Sequence, residues 1–156
     1  YNVPATVLMS SVPPQGLMGS AYGLMLKKPM LLSDLNRIMM SDEVDISSLR
    51  EALFHQPVSE SDLKRYYRLS QPESHRAIWD MTLFNLPQPG RMYQPPMLIL
   101  GAEHDMLIPP DQVQMTAMTY GGEAEIFPDM GHGMMLERDW EQVAERIAGW
   151  LEEQGL

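Results

Sequence analysis

The stretch GAEHDMLIPP, Gly101 to Pro110, decides how this sequence folds, because it begins where a buried strand ends. The residues just before it, Met97 to Leu100, are all apolar, and such a strand has no face suited to water. Continuous apolar strands are typical of parallel sheets that helices cover on both faces. The stretch therefore predicts an α/β fold, with its loop at the carboxyl edge of the sheet.

Two further strands are predicted, one on each side of this stretch in the chain. PATVLMSSVPP, Pro4 to Pro14, is an apolar run closed by two prolines, and it predicts a buried strand ending at Val12. Ser10 and Ser11 close that strand and are interpreted as structural or pocket-lining residues. AEIFPDMGH, Ala124 to His132, predicts the third strand and the loop after it.

Helices are predicted after the second and third strands. The first of them can open at Pro109 or Pro110 and close at Gly121 or Gly122. The second spans Asp139 to Gln154. Its predicted apolar face comprises Trp140, Val143, Ala144, Ile147, Ala148 and Leu151. Strand, helix, strand and helix in this order indicate about three parallel strands with flanking helices.

The long segment between the first two strands predicts an inserted helical subdomain. Helices are expected near 15–27, 30–41, 47–55, 60–69 and 72–85. Ser59 with Asp62 and Ser70 with Glu73 have the spacing of capping boxes. The predicted division is a core strand at 1–14, a helical lid at 15–91, and a carboxyl-terminal α/β core at 92–156.

Composition limits the classes of function. With 156 residues and 44% apolar side chains, the chain fits one soluble globular domain. A net charge of -10 argues against nucleic acid as a partner, because phosphates would be repelled. No cysteine is present, which excludes disulfides and thiolate sites and favours a cytoplasmic setting. The sequence contains no apolar run of about 18 residues, the length that would predict a membrane span.

Asp105 and His132 are the candidate catalytic residues, because each follows a predicted strand. Open α/β sheets place their ligands at the carboxyl ends of strands, where loops converge. A buried carboxylate that accepts a hydrogen bond from one imidazole nitrogen leaves the other nitrogen free to take a proton from a nucleophile. The alternative interpretation is that both are ordinary turn residues.

With these motifs the chain resembles the carboxyl-terminal part of the α/β-hydrolase family, and within it the esterase and lysophospholipase-like branch with a helical lid. The resemblance covers nearly the whole chain and rests on the first strand with the lid after it, on PMLILGAEHDMLIPP and on FPDMGHGMMLE. It implies that Asp105 is the triad acid and His132 the base. It also implies a small hydrophobic ester or acyl substrate and no cofactor.

The nucleophile of such a family is missing from this sequence. No G-x-S-x-G motif occurs, and the nearest imitation, GSAYG at Gly19 to Gly23, places Ser20 within the predicted lid. We therefore expect the chain to be a piece of a longer hydrolase, with the nucleophile on a preceding part or on another chain. That partner would cover the first strand, whose free apolar edge natural proteins avoid.

Other interpretations of these residues are weighed beside this one. An upstream aspartate nucleophile would give epoxide or haloalkane chemistry, and loss of catalysis would leave a non-catalytic binding module of the same fold. His104 and His132 could suggest a metal pair, but no metal motif spacing supports it. The methionines of the lid suit either core packing or an adaptable pocket. Trp79 and Trp140 are expected to be packing residues. The acidic run Glu137, Asp139, Glu141 and Glu145 is expected to form a helix start and a solvated face.

Overall fold

A computed structural model describes residues 3–40, 46–69 and 74–156, and it contains a parallel sheet of three strands. The strands are β1 (Thr6–Met9), β2 (Met97–Ala102) and β3 (Ala124–Phe127), in the spatial order β1, β2, β3. The predicted α/β fold with about three parallel strands is therefore confirmed. β1 is shorter than predicted, and all four of its residues are only half-buried, since β2 is its one partner among the described strands.

Alternate residues of β2 pack against helices on opposite faces of the sheet. Helix α6 spans Pro110–Thr119 and helix α7 spans Trp140–Glu153. Leu98 and Leu100 pack in a cluster with Val143 and Trp150 of α7, whereas Ile99 packs with residues of α6. This explains why β2 is apolar throughout: neither of its faces meets water.

Five helices lie between β1 and β2 in the part of this segment that the structure describes. They are α1 (Met18–Lys27), α2 (Pro29–Met40), α3 (Ile46–Leu53), α4 (Glu60–Leu69) and α5 (His75–Trp79), and α5 continues into a π turn at Asp80–Phe84 and a later 3₁₀ turn at Pro89–Arg91. Leu24, Leu31 and Ala52 form their small core, and Met106 and Leu107 of the loop after β2 pack against it. The inserted helices are thus anchored on the loop that carries Asp105.

Of the two predicted capping boxes, the one at Ser59 and Asp62 lies within the described residues. At the start of α4, Ser59 Oγ accepts a hydrogen bond from the Asp62 N–H and donates one to the Asp62 carboxylate. The Asp62 carboxylate therefore accepts from the hydroxyl of Ser59, whereas in a capping box it would accept from the backbone N–H of Ser59. Ser70 and Glu73 lie outside the described residues, as do position 41 and positions 72–73 of two predicted helices. Helix α5 begins later than predicted, with Ser74 accepting from the Ala77 N–H.

The two tryptophans that were expected to be packing residues both lie at the surface. Trp79 is 56% exposed and Trp140 is 47% exposed, so neither is a core residue. The predicted apolar face of α7 is rotated relative to the observed one, because Trp150 is buried with Val143 while Ala144 and Ala148 are exposed. Trp150 gains its burial from the α7 face of the sheet, a tertiary contact that a helical period alone does not locate.

None of the helices in the described residues combines the length and the apolar composition that a membrane crossing requires.

Candidate active site

The structure brings Asp105 and His132 together. Asp105 lies in the loop after β2, His132 lies in the loop after β3, and their Oδ2 and Nδ1 atoms are 2.9 Å apart. The Asp105 side chain is fully buried, while 27% of the His132 side chain is exposed. Because Nδ1 is bound to the buried carboxylate, Nε2 is the ring nitrogen that can exchange a proton with a substrate or nucleophile.

Backbone amides orient the second oxygen of Asp105. Oδ1 accepts hydrogen bonds from the N–H groups of Leu107, at 2.8 Å, and of Ile108, at 2.7 Å. An aspartate that bonds its own backbone two and three residues ahead forms a local turn. Local geometry thus determines which way the carboxylate faces, and Oδ2 is left directed at the histidine.

The two loops are also joined by their backbones. The N–H of Glu103 donates to the Phe127 carbonyl at 2.9 Å, and the N–H of His104 donates to the Met130 carbonyl at 2.9 Å. Asp129 has a positive φ of 54° in the turn before His132, and its N–H donates to Glu103 Oε2 at 3.2 Å. These bonds extend the pairing of β2 and β3 beyond the strands and bring the loops into register.

Two glycines flank His132 because the backbone of the inserted helices comes close there. A Cβ added to Gly131 would lie 2.7 Å from the His55 nitrogen, and one added to Gly133 would lie 3.1 Å from the Leu53 carbonyl oxygen. The N–H of Gly133 donates to that same Leu53 oxygen at 2.7 Å. The GHG sequence therefore reflects a close approach of chains on both sides of the imidazole.

Glu137 departs from the sequence expectation. It was expected on a solvated helix face, but it is only 1% exposed, and its carboxylate accepts hydrogen bonds from Gly131, His55 and Gln56. The reason is tertiary, because two of the three donors lie more than eighty positions away in the chain. The one sequence signal is local: Glu137 ends the apolar run GMML, which is an unusual neighbour for a solvated acid.

Neither Ser20 nor Ser10 is placed as a nucleophile would be. Ser20 lies inside α1, buried, and among the described residues its Oγ is the buried side-chain atom that lacks a hydrogen-bond partner. Within the described part of the chain, no base therefore contacts it. Ser10, at the end of β1, has a φ of 43°, and its hydroxyl donates to Met134 Sδ at 3.4 Å. That contact supports the structural interpretation of Ser10.

One group of side chains has the composition of a metal site. Ligand atoms of His55, His104 and Asp129 all lie within 4.8 Å of one another, at the surface. The two imidazoles, however, are stacked with centroids 3.7 Å apart and an angle of 20° between the rings. Nearly parallel rings direct their lone pairs into separate planes, so a single ion cannot lie in both. As arranged, these residues do not fit a metal ion.

A cleft of about 680 Å³ opens between the ends of α1 and α3 and the loop after β2. Asp105 contributes to its wall but His132 does not. Most of its wall is charged or polar, with Lys27, Lys28, Arg50, Glu51 and Asp111 among the lining residues. Its lining is therefore unlike that of a hydrophobic acyl pocket.

Comparison with known proteins gives a family and a fold. The family model described as "Alpha/beta hydrolase family" matches residues 1–146. No curated protein matches the sequence.

Three solved structures illustrate the similarity. An esterase from Exiguobacterium antarcticum has 20% identity and a TM-score of 0.69, over 97% of this chain and 58% of that one. A membrane phospholipase A described as a bacterial virulence factor has 20% identity and a TM-score of 0.61, over 97% and 50%. A serine hydrolase involved in carbazole degradation has 18% identity and a TM-score of 0.53, over 96% and 54%. The chain thus spans about half the length of the structures it matches.

Proposed function

This chain belongs to the α/β-hydrolase family, and we propose that it supplies the acid and the base of an enzyme that hydrolyses carboxylic esters. The observation that carries the proposal is the 2.9 Å hydrogen bond between His132 Nδ1 and the buried Asp105 carboxylate. Esterases among the similar solved structures support the choice of ester bonds.

In this proposal His132 acts twice. Its Nε2 takes the proton of a hydroxyl nucleophile as that oxygen attacks the ester carbonyl, and it then gives the proton to the departing alcohol. Asp105 keeps the proton on Nδ1 in the first step and stabilises the imidazolium that forms. Water repeats the sequence on the acyl intermediate and releases the acid. Each step moves one proton and requires no cofactor.

The nucleophile in this proposal lies outside this chain. Ser20 is unsuited because its hydroxyl is buried in a helix without a base beside it. The half-buried strand β1 has a free edge in the described sheet, where a further strand can pair. This chain spans about half the length of the similar solved structures, which leaves room for such strands.

Hydrophobic esters are the proposed substrates. Helix α1 carries large apolar side chains that solvent reaches at Met18, Tyr22, Met25 and Leu26, and these positions share one helical face. Methionine side chains adapt to varied acyl shapes. We propose that residues 15–91 act as the lid over the acyl chain, and the phospholipase A among the similar structures supports a lipid-like ester.

A serine-directed fluorophosphonate tests this assignment in the complete natural protein. Mass spectrometry should place the label on a serine outside residues 1–156, and turnover of p-nitrophenyl esters should fall as labelling proceeds. A label on Ser20 would contradict the proposed division of the triad. Ester turnover without any label would indicate another nucleophile, such as an aspartate, and the absence of all turnover would favour a binding module.

A further inference from the structure

The carboxylate of Glu137 joins the His132 loop to the segment Leu53–Gln56, where α3 ends. We propose that Glu137 is a positioning residue for His132, one that holds the imidazole on Asp105 by fixing the backbone beside it. The inference rests on the proposed function, in which His132 is the base.

The contacts of Glu137 are those of an acceptor built into the structure. Oε1 accepts from the N–H groups of Gly131 and His55, both at 2.7 Å, and Oε2 accepts from the Gln56 N–H at 3.1 Å. Hydrogen bonds to an ionised acceptor are short and about twice as strong as neutral ones. Because Glu137 is 1% exposed, the three N–H groups that it accepts from lose their acceptor in a buried environment if it is removed.

A second set of bonds shows that the Leu53–Gln56 segment holds the loop beyond His132 as well. The N–H of Gly133 donates to the Leu53 carbonyl at 2.7 Å. The Gln56 amide donates to Asp139 Oδ2 at 2.9 Å and accepts from the Asp139 N–H at 3.1 Å. His132 therefore lies between two glycines whose backbones are both tied to the inserted helices, and Glu137 provides the tie on the amino-terminal side.

The place of Gly131 in the chain connects Glu137 to the orientation of the His132 side chain. Gly131 is the residue directly before His132, so a shift of its peptide turns the Cα–Cβ bond of the histidine and moves the imidazole relative to Asp105. A misplacement of about 1 Å can cost about a hundredfold in rate. The glycines themselves add little rigidity, because glycine is the residue type with the widest choice of backbone conformations.

Two substitutions remove the contacts of Glu137 to different extents. Glu137→Gln keeps an oxygen where Oε1 accepts two bonds, but it directs an amide NH₂ at the Gln56 N–H, and we expect kcat to fall about tenfold. Glu137→Ala removes all three acceptor contacts, and we expect a loss of about a hundredfold. Glu145→Gln is the matched control, because it makes the same change in charge at an exposed position of α7.

The experiment measures kcat and KM on a p-nitrophenyl ester with the complete protein, with rates referred to the folded fraction from circular dichroism. Proton NMR follows the downfield resonance of the His132 Nδ1–H in the same samples. We expect KM to change less than about twofold while kcat falls and the resonance broadens or disappears. Glu145→Gln should leave all three unchanged.

A purely structural role would lower the melting temperature yet leave kcat and the resonance of folded Glu137→Gln as in the parent protein, and this result would overturn the inference. Should Glu137→Ala not fold, Glu137→Gln alone decides. His132→Ala separates the two proposals: if it keeps turnover, the proposed function fails; if it abolishes turnover while Glu137→Gln is silent, only this inference fails.

Discussion

Asp105 Oδ2 and His132 Nδ1 lie 2.9 Å apart although 27 positions separate the residues in sequence. The register of the sheet accounts for this, because Ala102 at the end of β2 pairs with Phe127 at the end of β3. Both loops therefore leave the sheet at the same level. Asp105 lies three residues after the end of β2, and His132 lies five residues after the end of β3. The pair is thus a product of strand register together with two short loops.

Replacing the acid while keeping its shape should impair catalysis more than stability. In Asp105→Asn the amide oxygen can still accept from Leu107 and Ile108, but the NH₂ faces His132 and imposes the wrong tautomer. We expect kcat of the complete enzyme to fall by a factor on the order of 10³ to 10⁴. Glu152→Gln, which makes the same change in charge at an exposed position of α7, is the control. Ester turnover within threefold of the parent enzyme would count against Asp105 as the acid.

Two glycine substitutions should change stability in opposite directions. Gly131→Ala places a Cβ within 3 Å of His55, Leu53 and Glu137 atoms, and we expect a loss of about 1–3 kcal/mol in the free energy of unfolding. Gly149→Ala, in α7, meets nothing within 4 Å and should gain about 0.5–1 kcal/mol from helix propensity. Urea unfolding measures both. Equal effects of the two substitutions would show that the contact at Gly131 is not close.

The ion pair between Glu125 in β3 and Arg146 in α7 should give a pH-dependent share of stability. Its side-chain hydrogen bonds, at 2.7 and 2.6 Å, hold the pKa of Glu125 below its ordinary value of 4.5, against a smaller opposing effect of burial. A carboxyl group whose pKa is lower in the folded state stabilises the protein above its unfolded pKa, and that stabilisation disappears as pH falls through the folded value.

Urea midpoints of the parent protein and of Glu125→Gln should therefore differ at pH 7 and converge as the pH is lowered below 4.5. The difference at pH 7 should be small, because both side chains are partly exposed and salt screens such pairs. A gap between the two proteins that widened on acidification would mean that this ion pair has the opposite linkage.

Removing the hydroxyl of Ser20 should be harmless or favourable. Its Oγ is buried without a hydrogen-bond partner, and alanine is the better helix former, so Ser20→Ala should raise the free energy of unfolding by about 1 kcal/mol. Ester turnover should be unchanged. If turnover were lost while the fold survived, Ser20 would have to be reconsidered as the nucleophile.

Local patterns predicted the strands and both candidate catalytic residues because the signals lie within short stretches. The run Met97–Leu100 is apolar since β2 is covered on both faces, and the hydroxyl cap at Ser59 depends only on a residue three positions later. The turn after β2 is local as well, since Asp105 bonds the backbone of Leu107 and Ile108.

Contacts between distant segments were not predictable in the same way. Glu137 has the spacing and charge of an ordinary helix start, and only the approach of His55 and Gln56, from more than eighty positions away, buries it. The exposure of Trp79 and the burial of Trp150 likewise depend on how helices meet the sheet. A single sequence reports period and composition, but not which of several apolar faces finds a neighbour.

The central claim is that the imidazole at position 132 is the base of an ester hydrolase. Its most direct test is the turnover number of the complete protein on a p-nitrophenyl ester after His132→Ala, beside His75→Ala at the exposed start of α5. We expect His132→Ala to lower kcat by a factor on the order of 10³ or more, with unchanged folding, and His75→Ala to retain full turnover. A folded His132→Ala enzyme that turns over ester at the parent rate would contradict the account.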